Sequence, residues 1–194
     1  RVPRGEPVLS LLALTGRPVA APSANRSGRI SPSAAEHVFD ELDGRIDAVL
    51  DTGPCAVGLE STVLDLTAPG SPVLLRHGGI PAEALEKICG PLAFPQSEAD
   101  AAPLSPGRML SHYAPALPVR LNATSVEKHE ALLAFGPTPL TGAGAVWNLS
   151  ETGNLEEAAA RLFQGLRYLD TLGAQHGFTA LAVQPVPASG IGLA

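Results

Sequence analysis

The sequence predicts an α/β protein built from two units, and three observations favour this fold class. Short apolar runs alternate with amphipathic segments of helical length along most of the chain. Residues 91–107 break that pattern with prolines, alanines and polar residues that show no periodicity, as is typical of an extended, exposed linker. After the linker, the order strand, helix, strand, helix, strand predicts a small parallel sheet with right-handed crossovers.

The first unit is predicted to open with a helix and a strand. Residues 6–15 carry apolar side chains at roughly helical spacing, and the glycine that follows them is placed as a C-cap. Residues 17–21 then predict a short buried strand. A second helix is expected to take Ser31 as its N-cap, with proline at its first position, and to stop near Gly44.

Three further strands and a helix complete the first unit. The strands are predicted at residues 47–51, 61–67 and 73–76, each bounded by turn residues. A short helix over residues 82–88 follows and is ended by Gly90.

The second unit is predicted to hold three strands and two helices. The strands are placed at 118–121, 144–149 and 179–186, and the helices at 125–135 and from 155 to about Gly173. Asn154 with Glu157 is a capping-box variant in which Asn takes the place of Ser or Thr.

Composition excludes several classes of function. Of the 194 residues, 45% are hydrophobic and 16% charged, which indicates a globular protein rather than a disordered one. The net charge of −6 disfavours strong nucleic-acid binding, and no apolar run is long enough to span a bilayer. Cys55 and Cys89 show no zinc or disulfide spacing, so we expect two partly buried free thiols and a reducing cytoplasm.

The two ends of the sequence both look interrupted. The chain starts at Arg1 without methionine, inside what reads as a structural unit, and residues 190–194 resemble the start of a helix. We therefore expect further residues on both sides, including part of the site described next.

Three polar clusters, at residues 22–28, 58–62 and 105–115, are predicted to form one binding site from several loops. In the first cluster, Ser23, Asn25 and Ser27 alternate along the chain, so their side chains would share one side of an extended segment. Such groups suit hydrogen bonding to phosphate or ribose oxygens, although these residues taken alone favour a plain turn with local side-chain-to-backbone bonds.

An arginine and a serine extend this hypothesis. Arg76 ends an apolar strand beside glycines, a setting suited to bidentate binding of phosphate, and a surface arginine in an ordinary turn is the alternative. Ser61 lacks the context of a catalytic triad and is interpreted as a binding hydroxyl. His112 and Tyr113 follow the linker, where they act either as a lid or as an anchor that packs the linker down.

Taken together, four ordered motifs resemble a known family. They are Pro22-Ser23-Ala24-Asn25-Arg26-Ser27-Gly28, Gly58-Leu59-Glu60-Ser61-Thr62-Val63-Leu64-Asp65, Leu75-Arg76-His77-Gly78-Gly79-Ile80, and Ser105-Pro106-Gly107 with Ser111-His112-Tyr113-Ala114-Pro115. The chain resembles the two-domain form of threonylcarbamoyl-AMP synthase. That resemblance implies the C-terminal part of a YrdC-like α/β domain at 1–90, a linker with a lid motif at 91–117, and a small Rossmann-like parallel α/β domain at 118–194.

The resemblance implies a nucleotidyltransferase reaction. L-threonine and bicarbonate form a carbamate, which takes AMP from ATP and releases pyrophosphate. The product passes to tRNA threonylcarbamoyl transferase proteins that make N6-threonylcarbamoyladenosine in tRNA. Neither strong direct nucleic-acid binding nor a membrane is expected, and Mg²⁺ is expected to arrive with ATP.

The resemblance also implies residue roles, with no nucleophile and no metal ligand among them. The expected ATP contacts are Ser23, Asn25, Ser31, Arg76 and Tyr113, with His112 and Tyr113 forming the lid. The expected threonine contacts are Arg1, Ala21 through its backbone, and Ser61.

In the family, a lysine and arginine motif and further threonine contacts precede the position of Arg1. We therefore expect these 194 residues to be inactive when expressed as they stand. Three alternatives stay open: an RNA-binding YrdC-like module, a carbamoyltransferase-type maturation enzyme, and a purely structural or regulatory role for the C-terminal domain. The second normally carries zinc-type cysteine pairs, which this sequence lacks.

Overall fold

The computed structural model describes residues 3–67, 69–95 and 114–194, and its fold is mixed α/β, as the sequence predicts. Two strands form an antiparallel hairpin, and four form a parallel sheet. The elements in chain order are α1 (Glu6–Thr15), α2 (Ala35–Leu42), β1 (Val63–Asp65), β2 (Val73–Arg76), α3 (Ala82–Cys89), β3 (Val119–Arg120), β4 (Glu130–Ala134), β5 (Ala145–Asn148), α4 (Leu155–His176), β6 (Ala180–Val183) and a 3-10 helix at Gly190–Leu193. No helix in these ranges is long and apolar enough to cross a membrane.

The parallel sheet of the second unit has the strand order β3-β6-β4-β5. β4, one of its two central strands, is buried along its whole length, because both of its faces are covered. Leu133 packs on the α4 side with Leu169 and Leu181, while Leu132 faces the opposite side with Val126. The core of the second unit therefore lies on both faces of this one strand.

The helix predicted at 125–135 is wrong, since residues 130–134 form β4. A continuous run of leucine and alanine fits a helix and a fully buried strand equally well, and sequence periodicity does not separate the two. The second unit therefore has one long helix, α4, rather than two. β4 and β5 are joined by a loop, and α4 makes the crossover to β6.

The predicted cap of α4 is confirmed, but its geometry differs from a capping box. Asn154 Oδ1 accepts a hydrogen bond from the Glu157 amide at 2.9 Å. The Glu157 carboxylate accepts from the Ser150 hydroxyl, and that hydroxyl in turn accepts from the Asn154 amide. α4 continues past Gly173 and ends at Gly177, whose left-handed backbone (φ 71°) suits glycine.

The first unit contains α1 as predicted, but two predicted strands are wrong. Residues 17–21 and 47–51 form no strand, and their large side chains are exposed, with Val19 at 55% and Leu50 at 58% of full exposure. An apolar run becomes a strand only when a neighbouring strand supplies the ladder of hydrogen bonds. Within the described ranges, no strand pairs with either segment.

The hairpin and α3 agree with the predicted order of elements. β1 is shorter than the predicted strand at 61–67, and it pairs antiparallel with β2. The predicted exposed linker is wrong at its start: Leu92 is buried, and Ala93 pairs with β2 through hydrogen bonds of 2.8 Å to Leu74 and Pro72. The rest of the predicted linker, residues 96–107, lies outside the described residues.

Candidate functional site

A cavity of about 450 Å³ lies between the loops of the first unit and helix α4. It is lined by Ala21, Pro22, Ser23, Ala24, Ser31, Pro32, Ser33, Cys55, Gly58, Leu59, Glu60, Arg76 and Phe163. Four of the predicted site residues are therefore brought together, namely Ala21, Ser23, Ser31 and Arg76. Ser61 adjoins them through its contact with Arg76. Cys55 and Cys89 are both exposed, which corrects the expectation of partly buried thiols.

Arg76, at the end of β2, is fixed by the backbone of Ser61. Its Nε and Nη2 donate to the Ser61 carbonyl oxygen at 3.1 and 2.8 Å, and Nη2 also contacts the Ser61 hydroxyl at 3.2 Å. The side chain is only 12% exposed, and Nη2 lies 3.9 Å from the Glu60 carboxylate. A buried, bonded guanidinium loses little further side-chain entropy when an anion arrives. The surface-arginine alternative does not fit this burial.

Ser31 is buried and bonds across the cavity rather than along its own helix. Its hydroxyl donates to Glu60 Oε1 at 2.9 Å, over a separation of 29 residues. The predicted role of Ser31 as N-cap is wrong, because α2 begins later, with Ala34 as its cap and no side-chain cap bond. The Glu60 carboxylate thus contacts both Ser31 and Arg76. The sequence predicted no role for Glu60 beyond its place in a motif. The signal that could have found it is a carboxylate that lies in the sequence between two predicted site residues, Ser31 and Arg76.

The segments around Ser61 and Arg76 are locked together at close range. Thr62 Oγ1 donates to the Ile80 carbonyl at 2.7 Å and accepts from the Ile80 amide at 3.0 Å. The Gly79 amide donates to the Glu60 carbonyl at 2.9 Å. A β carbon at Gly78 would lie 2.4 Å from the Glu60 carbonyl oxygen, so only glycine fits between these two backbones.

Asn25 shapes the first polar loop instead of lining the cavity. Its side-chain amide donates to the carbonyls of Arg26 and Arg29 at 3.0 and 3.1 Å. Its Oδ1 is buried and accepts no hydrogen bond within the described parts of the chain. Gly28, in the left-handed conformation, closes the turn and accepts a bond from the Ala114 amide at 3.3 Å. Ser23 is exposed on the cavity side of the same loop.

Helix α4 of the second unit also reaches this loop. The Arg167 guanidinium donates to the Ile30 carbonyl and pairs with the Glu41 carboxylate. The other oxygen of Glu41 accepts from the Arg26 amide at 2.7 Å. Sequence reasoning missed Arg167 because a cation on an amphipathic helix is normally solvated, and nothing local in the sequence distinguishes it.

A buried histidine stands behind the cavity. His37 of α2 accepts a hydrogen bond from the Ser33 amide at Nδ1, at 3.2 Å. Burial lowers the pKa of His37 below its ordinary value of 6.5, and the charge of Arg167 lowers it further. Glu36, Asp40 and Glu41 oppose that shift without cancelling it. The ring is therefore held neutral, in the form that accepts a hydrogen bond.

Three predicted site residues, Arg1, His112 and Tyr113, lie outside the described residues. Their predicted roles in binding threonine and in closing a lid stay predictions, as do the ligand roles of the residues that line the cavity. In the described ranges, no cluster of three or more His, Cys, Asp or Glu side chains is placed to hold a metal ion.

Comparison with protein families decides the relationship that the motifs suggested. A model described as telomere recombination, of the Sua5, YciO and YrdC group, matches residues 1–78. A second model, described as the C-terminal domain of threonylcarbamoyl-AMP synthase, matches residues 80–194, which is more than half of the chain. The chain belongs to the threonylcarbamoyl-AMP synthase family.

Curated members of this family are similar over the entire chain. The threonylcarbamoyl-AMP synthase of Bacillus subtilis is 36% identical over 210 aligned residues, which cover 100% of this chain and 59% of the relative. That of Pyrococcus abyssi is 37% identical over 213 residues, covering 100% and 60%. The chain thus spans about three fifths of the length of these two relatives.

Solved structures show the same relationship in three dimensions. P. abyssi Sua5 complexed with L-threonine superposes on this chain with a TM-score of 0.82 at 32% identity, covering 100% of this chain and 60% of the other. A variant of the same protein, with histidine and tyrosine replaced by alanine, gives a TM-score of 0.73 at 30% identity, covering 100% and 57%. The overall fold of this chain is therefore shared with P. abyssi Sua5.

Proposed function

We propose that this chain supplies one wall of an adenylation site that makes L-threonylcarbamoyl-AMP from L-threonine, bicarbonate and ATP. One observation on this family member carries the proposal. Ser31, Arg76 and the Ser61 segment lie around one carboxylate, that of Glu60, at the 450 Å³ cavity of this chain. The solved relative complexed with L-threonine supports threonine as the amino-acid substrate.

The proposed reaction has two steps. The threonine amine attacks the carbon of bicarbonate, a C–N bond forms, and the departing hydroxide leaves as water with an amine proton. An oxygen of the resulting carbamate then attacks the α-phosphorus of ATP, and the bond to the bridging oxygen of the β-phosphate breaks to release pyrophosphate. Both steps gain mainly from positioning and from neutralised phosphate charge, so no protein nucleophile is needed.

Arg76 is the residue we assign to the phosphates. It is a largely buried cation at the cavity wall, and its position is tied to Ser61, the proposed threonine contact, through the Ser61 carbonyl. A movement of one would therefore shift the other, which keeps the nucleotide and the amino acid in fixed relation. Ser23 and Ser31 would contribute hydroxyl groups to ATP, and the Ala21 backbone would contact threonine.

Magnesium belongs to this proposal as part of the substrate MgATP. Glu60 is the one carboxylate among the described residues that line the cavity, and it already bonds Ser31. Phosphate oxygens and water would complete the coordination of the ion, as is usual for Mg²⁺ at nucleotide sites. A cytoplasmic setting, transfer of the product to tRNA threonylcarbamoyl transferase proteins, and closure of Tyr113 over ATP complete the proposal.

The test uses the intact gene product with ATP, L-threonine and bicarbonate. We expect release of pyrophosphate that needs all three substrates, and mass spectrometry should find threonylcarbamoyl-AMP. Release without threonine, or salt-sensitive RNA binding without any ATP-dependent product, would contradict the proposal. The isolated 194-residue chain is expected to be inactive, and product formation by it would refute that expectation.

A further inference from the structure

One face of α4 contacts the loops of the proposed site at three successive points. Phe163, Arg167 and Asp170 are spaced four and three residues apart, which places them on the same side of the helix. Phe163 lines the cavity, Arg167 contacts the segment that leads into it, and Asp170 contacts the end of the linker. α4 belongs to the second unit, so these contacts join the two units.

Arg167 is largely buried in its contact with the first unit. Its side chain is 15% exposed and that of its partner Glu41 is 13% exposed. The guanidinium donates to the Ile30 carbonyl and reaches the Ser31 carbonyl at 3.5 Å, while the Ser31 hydroxyl faces Glu60 inside the cavity. Removing the guanidinium would leave the largely buried Glu41 carboxylate and the Ile30 carbonyl without this donor, which is costly.

Asp170 holds the chain just after the predicted lid motif. Its two carboxylate oxygens accept hydrogen bonds from the amides of Ala116, at 3.0 Å, and Leu117, at 2.9 Å. Two residues earlier, the Ala114 amide donates to the Gly28 carbonyl of the first polar loop. The end of the linker is thereby fastened to α4 and to that loop at once.

We propose that Arg167 and Asp170 are positioning residues of the ATP subsite. Arg167 sets the position of residues 26–33, and Asp170 fixes residues 116 and 117, where the linker ends. The second unit thereby controls ATP affinity through loops that it holds. This inference rests on the proposed function for its kinetic test, and a second test below is independent of activity.

The kinetic test compares Arg167→Met, Arg167→Lys and Arg161→Met in the intact gene product. Arg161 lies on the same helix, but its contacts are Glu157 and the ring of Trp147, both in the second unit. We expect Arg167→Met to raise the KM for ATP about tenfold with kcat within about threefold, because the loop is displaced while the reacting groups remain. Arg167→Lys should recover part of the loss, and Arg161→Met should match the parent protein.

Hydrogen exchange supplies the test that needs no activity. In Arg167→Met, amides of residues 26–33 should exchange faster than in Arg161→Met, while those of β4 and β6 stay unchanged. Equal exchange in the two variants, or faster exchange throughout both units, would overturn the inference. If the parent protein made no adenylate, the proposed function would fail, and these exchange rates would still decide the positioning role.

Asp170→Asn provides a second variant if Arg167→Met does not fold. A carboxamide has one acceptor oxygen, so only one of the two amides at 116 and 117 keeps its partner. We expect faster exchange at residues 114–117 with an unchanged core. Unchanged exchange at these residues would count against the role of Asp170.

Discussion

Gly58 approaches Ala159 of α4 so closely that a β carbon on Gly58 would lie 2.4 Å from the Ala159 carbonyl oxygen. The same β carbon would lie 2.5 Å from the Cα of Ala160, so the obstacle is backbone that has no rotamer to change. Gly58 also has a left-handed backbone, with φ at 71°. The two units therefore touch backbone to backbone beside the cavity.

Replacing Gly58 with alanine should destabilise the contact between the two units. We expect the free energy of unfolding to fall by about 1–3 kcal/mol from overpacking, with a further loss of about 1 kcal/mol from the left-handed backbone. Urea unfolding measures this loss. Gly44→Ala is the matched control, since Gly44 has the same left-handed backbone (φ 70°) but a β carbon there meets nothing within 4 Å. Equal stability of the two variants would show that the close approach does not hold in solution.

Arg76→Lys should weaken binding of MgATP by about tenfold, which corresponds to about 1.4 kcal/mol. Lysine keeps the charge but loses the planar fork that fixes the side chain on the Ser61 carbonyl. Arg76→Ala should weaken binding further. Isothermal titration calorimetry on the intact gene product measures both, with the exposed Arg45→Ala as control. Unchanged affinity in both Arg76 variants would place the phosphates elsewhere.

His37 should make stability depend on pH. Its pKa is lowered in the folded state. As the pH falls through 6.5, His37 therefore becomes protonated in the unfolded chain while it is still neutral in the folded chain. The stability that the neutral His37 ring preserves is fully present above pH 6.5. It is lost as the pH falls from 6.5 toward the lowered pKa of His37 in the folded protein. In His37→Asn this loss should disappear, while the exposed His176→Asn should retain it. Urea unfolding between about pH 8 and pH 5 compares them; identical slopes in all three proteins would contradict the assignment.

Leu132→Ala should destabilise the second unit strongly. Leu132 is fully buried in β4, and leucine-to-alanine changes in such positions cost about 2–5 kcal/mol. Leu121→Ala removes the same atoms from a side chain that is 68% exposed and should change stability by less than about 0.5 kcal/mol. Thermal unfolding of the two variants checks the difference. Similar melting temperatures would mean that β4 is not the centre of the core.

Local signals in the sequence were sufficient for some elements and not for others. The cap at Asn154 and the end of α1 were predicted because both depend on side chains or glycines a few residues away. β4 was mistaken for a helix because its burial on both faces comes from distant segments. The strands predicted at 17–21 and 47–51 failed for a related reason, since pairing depends on a neighbour and not on the apolar run itself.

The sequence motifs predicted some residues of the candidate site but not the contacts between them. Ser31 and Arg76 do line one cavity, although nothing in the sequence showed that two residues so far apart in the chain would be close in space. The contact of Ser31 with Glu60 was missed because the serine also fitted a helix cap. The link from Arg167 to Ile30 spans 137 residues, and no pattern in a single sequence indicates a contact of that range.

The Arg167–Glu41 pair has a consequence for protein engineering. A hybrid that joins the first unit to the C-terminal unit of another protein would place a foreign side chain opposite Glu41. Without a cation there, that carboxylate would be largely buried next to the neutral ring of His37. The two units of the hybrid would then be expected to separate where they meet. Exchange of C-terminal units should therefore require that residues 41 and 167 stay matched as a pair.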